Sequence, residues 1–224
     1  MMPPRTPATM TLPNASRNAV REGMVGGASR PTGSFTVVMV RGGCGVASNV
    51  SQPGHILSHM REWLVAGALV EASDGVLLVR NVRRGGREEW STPGGVIDAE
   101  DDSLLEGLTR EVEEETGLRV TEWEGPLYEV VCEAVELGWI LRAEIHRAVT
   151  YEGDLRVEDP DGIVVEAQFL PIDECLVRLA PGARWVHEPL CEWLAERWGP
   201  TAPRGYRYDV HGSSHEALSV RRAT

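Results

Sequence analysis

The sequence predicts an α/β fold built on a mixed β-sheet, and three observations predict it. Short β-prone apolar runs recur at Trp63–Val70, Val76–Arg80, Leu127–Val135, Trp139–Val149 and Ile163–Leu170, with the length and composition of strands. Asp74-Gly75 and Gly138 stand between neighbouring runs, where hairpins turn. Leu104–Thr116 and Trp185–Trp198 instead space their apolar residues as helices do.

Each element has a local reason. Ser73-Asp74-Gly75 is turn chemistry, so the two runs beside it pair as a hairpin. Arg83–Glu89 is polar and contains glycine, which reads as a loop. Pro93-Gly94-Gly95 fixes one φ and frees two, a tight turn. Ser103 is a good N-cap with Glu106 three residues on, the capping-box spacing, and Gly117 is placed to end the helix at C′. Pro171 follows the fifth run, and Pro181-Gly182 breaks the chain before the last helix. Tyr206, Tyr208 and Val210 alternate, Gly212-Ser213-Ser214 turns, and Ala217–Val220 returns, so residues 199–224 read as a C-terminal extension with a β-hairpin.

Charge and composition narrow the function classes. The chain has 224 residues, with 22 basic and 34 acidic side chains, a net charge of −12. That balance argues against nucleic-acid or anionic-membrane binding by bulk electrostatics. All 22 basic residues are arginine, which excludes a lysine Schiff base and a P-loop lysine. No apolar run approaches the roughly 20 residues of a membrane span. Cys44, Cys132, Cys175 and Cys191 form no C-x-x-C pair, which fits a reducing, cytoplasmic setting.

The charge is unevenly spread. Residues 1–59 carry five arginines and one acid, Glu22, and only one aromatic, Phe35. Such a stretch buries too little apolar surface to offset ordering entropy. Three readings stay open for it: an over-called start with translation beginning at Met60, a disordered tail, or an arginine-rich transit peptide. By contrast, Asp98–Glu115 holds nine acids and one arginine.

That acidic window carries the chemistry. At about 100° per residue, Glu111, Glu114 and Glu115 share an arc of about 100° abutting the apolar stripe of Leu105, Leu108 and Val112, while Glu106 and Glu113 point away. Three like charges beside a core raise one another's pKa unless countered, and Arg110 supplies one positive charge. A hard divalent cation, Mg²⁺ or Mn²⁺, would answer the rest. The plainer reading of the same spacing is an ordinary acidic amphipathic helix.

Gly95–Leu118 resembles the Nudix box, G-x5-E-x7-R-E-U-x-E-E-x-G-U, where U is a bulky aliphatic. Arg110-Glu111-Val112-Glu113-Glu114-Glu115-Thr116-Gly117-Leu118 matches its second half in full, and Trp90–Gly95 is similar to the family's usual approach. The first half departs from the pattern. It has one extra residue and an aspartate where the family has glutamate, so either Asp101 or Asp102 could fill that position. The resemblance covers roughly 60–198 and implies a Nudix-like α/β/α sandwich with a central mixed sheet. It also implies Mg²⁺-dependent hydrolysis of a nucleoside diphosphate linked to a further group. By the same resemblance Glu111, Glu114 and Glu115 are metal ligands with the Gly95 carbonyl, Arg110 orients them, and a homodimer is allowed. The general base is either a box glutamate or a later carboxylate such as Asp159, Asp161 or Glu166.

Substrate recognition is less sharply written. Arg80, Arg83, Arg84 and Arg87 precede the Pro-Gly-Gly turn. Arginine forks suit phosphate oxygens, though an exposed polar loop explains them equally. Trp90 could stack on a base or belong to the core. Trp123, Trp139, Trp185, Trp193 and Trp198 read as core. A (d)NTP or oxidised dNTP is the leading substrate. The alternatives are ADP-ribose or a nucleotide sugar and, in another class, a non-catalytic nucleotide-binding module.

Overall fold

The computed structural model describes residues 60–83, 85–212 and 218–223. The predicted extension over 1–59 and Arg84, one of the predicted phosphate contacts, lie outside these. Strands β1 (Arg61–Leu69), β2 (Glu71–Ala72), β3 (Gly75–Val82), β4 (Glu88–Ser91) and β5 (Gly94–Val96) precede helix α1 (Leu104–Thr116). Strands β6 (Arg119–Ala134), β7 (Trp139–Glu152) and β8 (Val164–Leu170), helices α2 (Ile172–Leu179) and α3 (Arg184–Glu196), and strands β9 (Arg204–His211) and β10 (Ser219–Arg222) follow.

Two sheets result. The larger runs β10-β9-β6-β7-β1-β5 and is mixed, because β1 is parallel to β7 and β6 to β9 while the other neighbours are antiparallel. In the smaller sheet β3 pairs with β2, β4 and β8. The second half of β1, Ala66–Leu69, is buried on both faces, as a near-continuous apolar run requires. Val65 and Leu69 of β1 join one core with Cys175 and Leu179 of α2 and Leu190 and Trp193 of α3. Its Ala66 and Ala68 join the other core with Leu108 and Val112 of α1. Helices thus cover both faces of the larger sheet, the α/β/α sandwich that the box resemblance implies.

The structure corrects three local readings. The stretch expected to be a loop up to Glu89 already becomes strand at Glu88, because Arg80–Val82 offer a pairing edge to Glu88–Trp90. β6 begins at Arg119, well before the apolar run that marks it, because its first half pairs along β7. Helix α2 went unforeseen after Pro171, although Ile172, Cys175, Leu176 and Leu179 carry the i, i+3, i+4, i+7 signature. Among the described residues, no helix is long and apolar enough to cross a membrane.

Candidate active site

Helix α1 is fixed at both ends before its acids are placed. The Ser103 hydroxyl accepts the Glu106 amide at 3.2 Å, and Gly117, at φ 74°, donates to the Glu113 carbonyl at 2.8 Å. Leu108 and Val112 are fully buried, and that sets the rotation of the helix. Glu111 and Glu115 then follow into the interior at 4% and 5% exposure. The side chain of Glu114 stays 39% exposed, and Glu113 pairs outward with Arg119. Leu105, expected on the apolar stripe, lies at its edge and is exposed.

Arg110 holds the acids in order. Its Nη1 donates to Glu111 Oε1 at 2.7 Å and to Glu114 Oε2 at 3.3 Å. Its Nε and Nη2 donate to Asp101 Oδ1 and Oδ2 at 3.1 and 3.0 Å, a fork-to-fork pair of the kind guanidinium geometry favours. Asp101 also accepts the Asp98 amide at 2.9 Å, which closes the loop. Of the two aspartates left open by the sequence, Asp101 therefore meets the box arginine, and Asp102 is exposed. Gly107 makes room for the Asp101 carboxylate, since a Cβ there would lie 2.5 Å from Asp101 Oδ2.

The Pro-Gly-Gly turn brings backbone to these carboxylates. Gly94 sits at φ 134°, and a Cβ there would meet the Ala66 carbonyl oxygen at 2.3 Å. Its amide donates to Glu115 Oε2 at 2.8 Å. At Gly95 a Cβ would come within 2.3 Å of Glu111 Oε2, so only glycine lets the chain approach so closely.

Burial without enough counter-charge dominates the electrostatics. Desolvation pushes Glu111 up to about 7, against the bond and charge of Arg110 and with the help of Glu114 and Asp98. Desolvation holds Glu115 well above the ordinary carboxylate range. The Gly94 amide and the charge of Arg83 oppose this, while Glu111 and Asp159 add to it. A hard divalent cation fits this donor set, because it would stabilise the ionised forms with oxygen ligands. Among the described residues, no three acidic, histidine or cysteine side chains already converge on one ion-sized point. The glutamates instead spend oxygens on Arg110 and on Gly94.

Beside Glu115 and Gly95 opens a cavity between the larger sheet and α3. Val65 and Gly67 of β1, Ala143 and Ile145 of β7, and Tyr128 and Val130 of β6 form its floor. Trp185, Val186 and Leu190 of α3 form the facing wall. Asn81, Arg83, Ser91 and Thr92 supply the polar end nearest the glutamates. Asn81 Nδ2 donates to Ser91 Oγ at 3.0 Å, and Arg83 Nε donates to Glu89 Oε1 at 2.9 Å.

The expected substrate contacts are redistributed. Arg80 is not at the cavity, because Glu166 at 2.7 Å and Glu88 at 3.1 Å hold it across the smaller sheet. Glu166 is committed by the same pair. Arg87 is exposed and pairs with Glu89. Trp90 is 8% exposed in the core shared with α2, with the Arg178 guanidinium 4.9 Å from its ring centre, so it does not line the cavity. Among the described loop arginines, Arg83, grouped above with Arg80 and Arg87, lines the cavity. Strand alternation puts Asn81 and Arg83 on the same face of the chain, a signal that the polar-loop reading concealed. Tyr128 and Trp185 were not singled out for the site, and nothing local in the sequence separates them from core aromatics. Asp159 accepts the Ile163 and Val164 amides at 2.7 Å and the Asp161 amide at 3.0 Å, which fixes the turn that brings its charge near Glu115. Asp161 is exposed.

A family model for the NUDIX domain matches residues 61–194. The chain belongs to the Nudix family. Solved structures agree on the fold. The mutator MutT protein of Bacillus halodurans is 25% identical, with a TM-score of 0.51 over 71% of this chain and 97% of that one. The ORF135 protein of E. coli is 23% identical, with a TM-score of 0.51 over 63% and 96%. A Nudix hydrolase from Nitrosomonas europaea is 22% identical, with a TM-score of 0.50 over 62% and 93%. No curated protein matches the chain. The Nudix match takes in α1 and the Pro-Gly-Gly turn but stops at Leu194, so β9 and β10 lie beyond it.

Proposed function

We propose that this Nudix chain is a Mg²⁺-dependent pyrophosphohydrolase that cleaves the phosphoanhydride of a nucleoside diphosphate linked to a further group, with (d)NTPs or oxidised dNTPs foremost. One observation carries the reading. The buried, under-neutralised carboxylates of Glu111 and Glu115 meet the Gly94-Gly95 turn, and Glu115 and that turn line an apolar-floored cavity. An apolar floor suits a base, and a polar end suits phosphates.

Glu111, Glu114, Glu115 and the Gly95 carbonyl would hold the cation. The chemistry such a cation would supply there is shielding of phosphate charge and acidification of the attacking water. Arg110 keeps the glutamates in register through its bonds to Asp101, Glu111 and Glu114. Arg83 contacts a phosphate oxygen, held in place by Glu89. The proton of the attacking water passes to a box glutamate or to a later carboxylate, of which Asp159 is the one whose charge acts on Glu115.

A screen of phosphate and pyrophosphate release over (d)NTPs, oxidised dNTPs, ADP-ribose, NADH and dinucleoside polyphosphates, with Mg²⁺ and with EDTA, tests this. Turnover of a nucleoside triphosphate, abolished by EDTA, is expected. A folded protein silent on the whole panel would instead be a nucleotide-binding module, and ADP-ribose as best substrate would replace the triphosphate.

A further inference from the structure

The Nudix match ends at Leu194, yet the chain continues into β9 and β10, and these strands brace the cavity from behind. Tyr206 and Tyr208 of β9 are 2% and 1% exposed. Their hydroxyls donate to Glu192 Oε2 at 2.9 Å and to Glu188 Oε2 at 3.0 Å, both on α3. From β10, Arg222 pairs with Glu192, and the Val220 carbonyl accepts Arg184 Nη1 at 2.8 Å. β9 also touches the floor. It runs parallel to β6 with Tyr206 opposite Val130, and the ring of Tyr206 meets that of Tyr128 edge-on at 5.8 Å.

Helix α3 is anchored in the core by Leu190, Trp193 and Leu194, but its N-terminal half has few holds of its own. Its N-cap, Ala183, makes no side-chain bond, and Pro189 stands inside the helix. Proline has no amide hydrogen, so Pro189 donates no bond to the helix. Trp185 is the aromatic of the cavity wall. The two tyrosine bonds fall at Glu188 and Glu192, one on each side of that proline.

We propose that β9 and β10 set the distance between the cavity floor and the α3 wall, and so decide which bases the cavity accepts. Tyr206 and Tyr208 are positioning residues that act through Glu192 and Glu188 on Trp185, Val186 and Leu190. The proposal rests on the hydrolase reading, and its test separates the two.

The test is Tyr206→Phe/Tyr208→Phe in the full chain, which removes two hydroxyls and keeps both rings. KM for the best triphosphate rises about 5-fold while kcat stays within about 2-fold, the signature of altered binding rather than chemistry. The kcat/KM preference between purine and pyrimidine triphosphates narrows about 3-fold, and amide exchange over residues 184–194 accelerates. Should the double variant fail to fold, Tyr208→Phe alone raises KM about 2-fold with the same exchange change. A lower Tm with KM and base preference unchanged would show a merely structural staple and overturn the proposal. A wild-type chain inactive on every nucleotide would remove the hydrolase reading and this one with it, a result visible before any variant is made.

Discussion

Two helices of this chain carry glutamates at i and i+4 beside a core, and they meet opposite fates. On α1, Glu111 and Glu115 are almost fully buried. They share one arginine fork and one backbone amide, and desolvation drives both upward. On α3, Glu188 and Glu192 are partly buried, and each has an arginine and a tyrosine hydroxyl of its own. Burial also raises Glu192, but the bonds from Arg222 and Tyr206 outweigh it and leave the carboxyl below its ordinary range. Equal spacing therefore marks neither pair as functional. What separates them is whether the protein itself supplies the counter-charge. A pair left short of it stores unfavourable energy in the fold, and a bound cation can release that energy.

Removing one charge from the α1 pair tests this contrast most severely. Glu115→Gln is expected to lower kcat at least ~100-fold, since a lost ligand acts on the transition state. Metal-free Tm at neutral pH is expected to stay level or rise, because a buried, under-neutralised carboxyl is replaced by a neutral amide that still accepts the Gly94 N–H. Steady-state kinetics and a melting curve in EDTA read both halves. Wild-type turnover would remove Glu115 from the metal site, and a collapse of Tm would make it structural.

The same contrast explains what could be read from sequence. The α1 site was legible because its signal is local. Ser103, Gly117 and the R-E-U-x-E-E run lie on one helix, and the helical period alone groups Glu111, Glu114 and Glu115 on one arc. The cavity was not legible, because its residues come from six strands, α1 and α3 and meet only through sheet order. Arg80 and Arg83 are equivalent as sequence, and the cross-strand pairing of Arg80 with Glu166 and Glu88 withdraws one and leaves the other at the cavity. Trp90 and Trp185 have the same composition signal and near-equal burial, and only their placement, Trp90 against Arg178 of α2 and Trp185 on the cavity wall, separates them. Alternation did reveal β9, but nothing near Tyr206 or Tyr208 in sequence names Glu192 and Glu188 as their partners.

The loop before α1 sharpens the comparison at intermediate size, since there an acid near the site is fully paired. Asp101→Asn cannot keep both guanidinium bonds from Arg110, and about 1–3 kcal/mol of stability is expected to go with the charge-assisted contact. Activity falls about 10-fold as the box arginine loosens its hold on Glu111 and Glu114. Asp102→Asn, on an exposed side chain, stays within about 0.5 kcal/mol of wild type. Urea unfolding of the two variants decides the register of the box, and equal losses would undo the assignment to Asp101.

The smallest effect is expected on α3, and pH gives it a distinctive shape. The folded carboxyl of Glu192 lies below its ordinary value of 4.5. A depressed acid contributes stability above the unfolded value and loses that contribution as pH falls through the folded one. Glu192→Gln should therefore be less stable than wild type at pH 7 by about 0.5–1 kcal/mol, the scale of a solvent-screened pair. The gap should close as pH drops below 4.5, where the wild-type carboxyl takes up its proton and its bond from Arg222 weakens. Turnover stays within about 3-fold of wild type, because this acid touches neither cation nor substrate. Denaturant midpoints of both proteins at neutral and acid pH measure the gap. A difference that persists undiminished in acid would mean that Glu192 contributes by packing rather than by charge, and the opposition between the two glutamate pairs would then rest on burial alone.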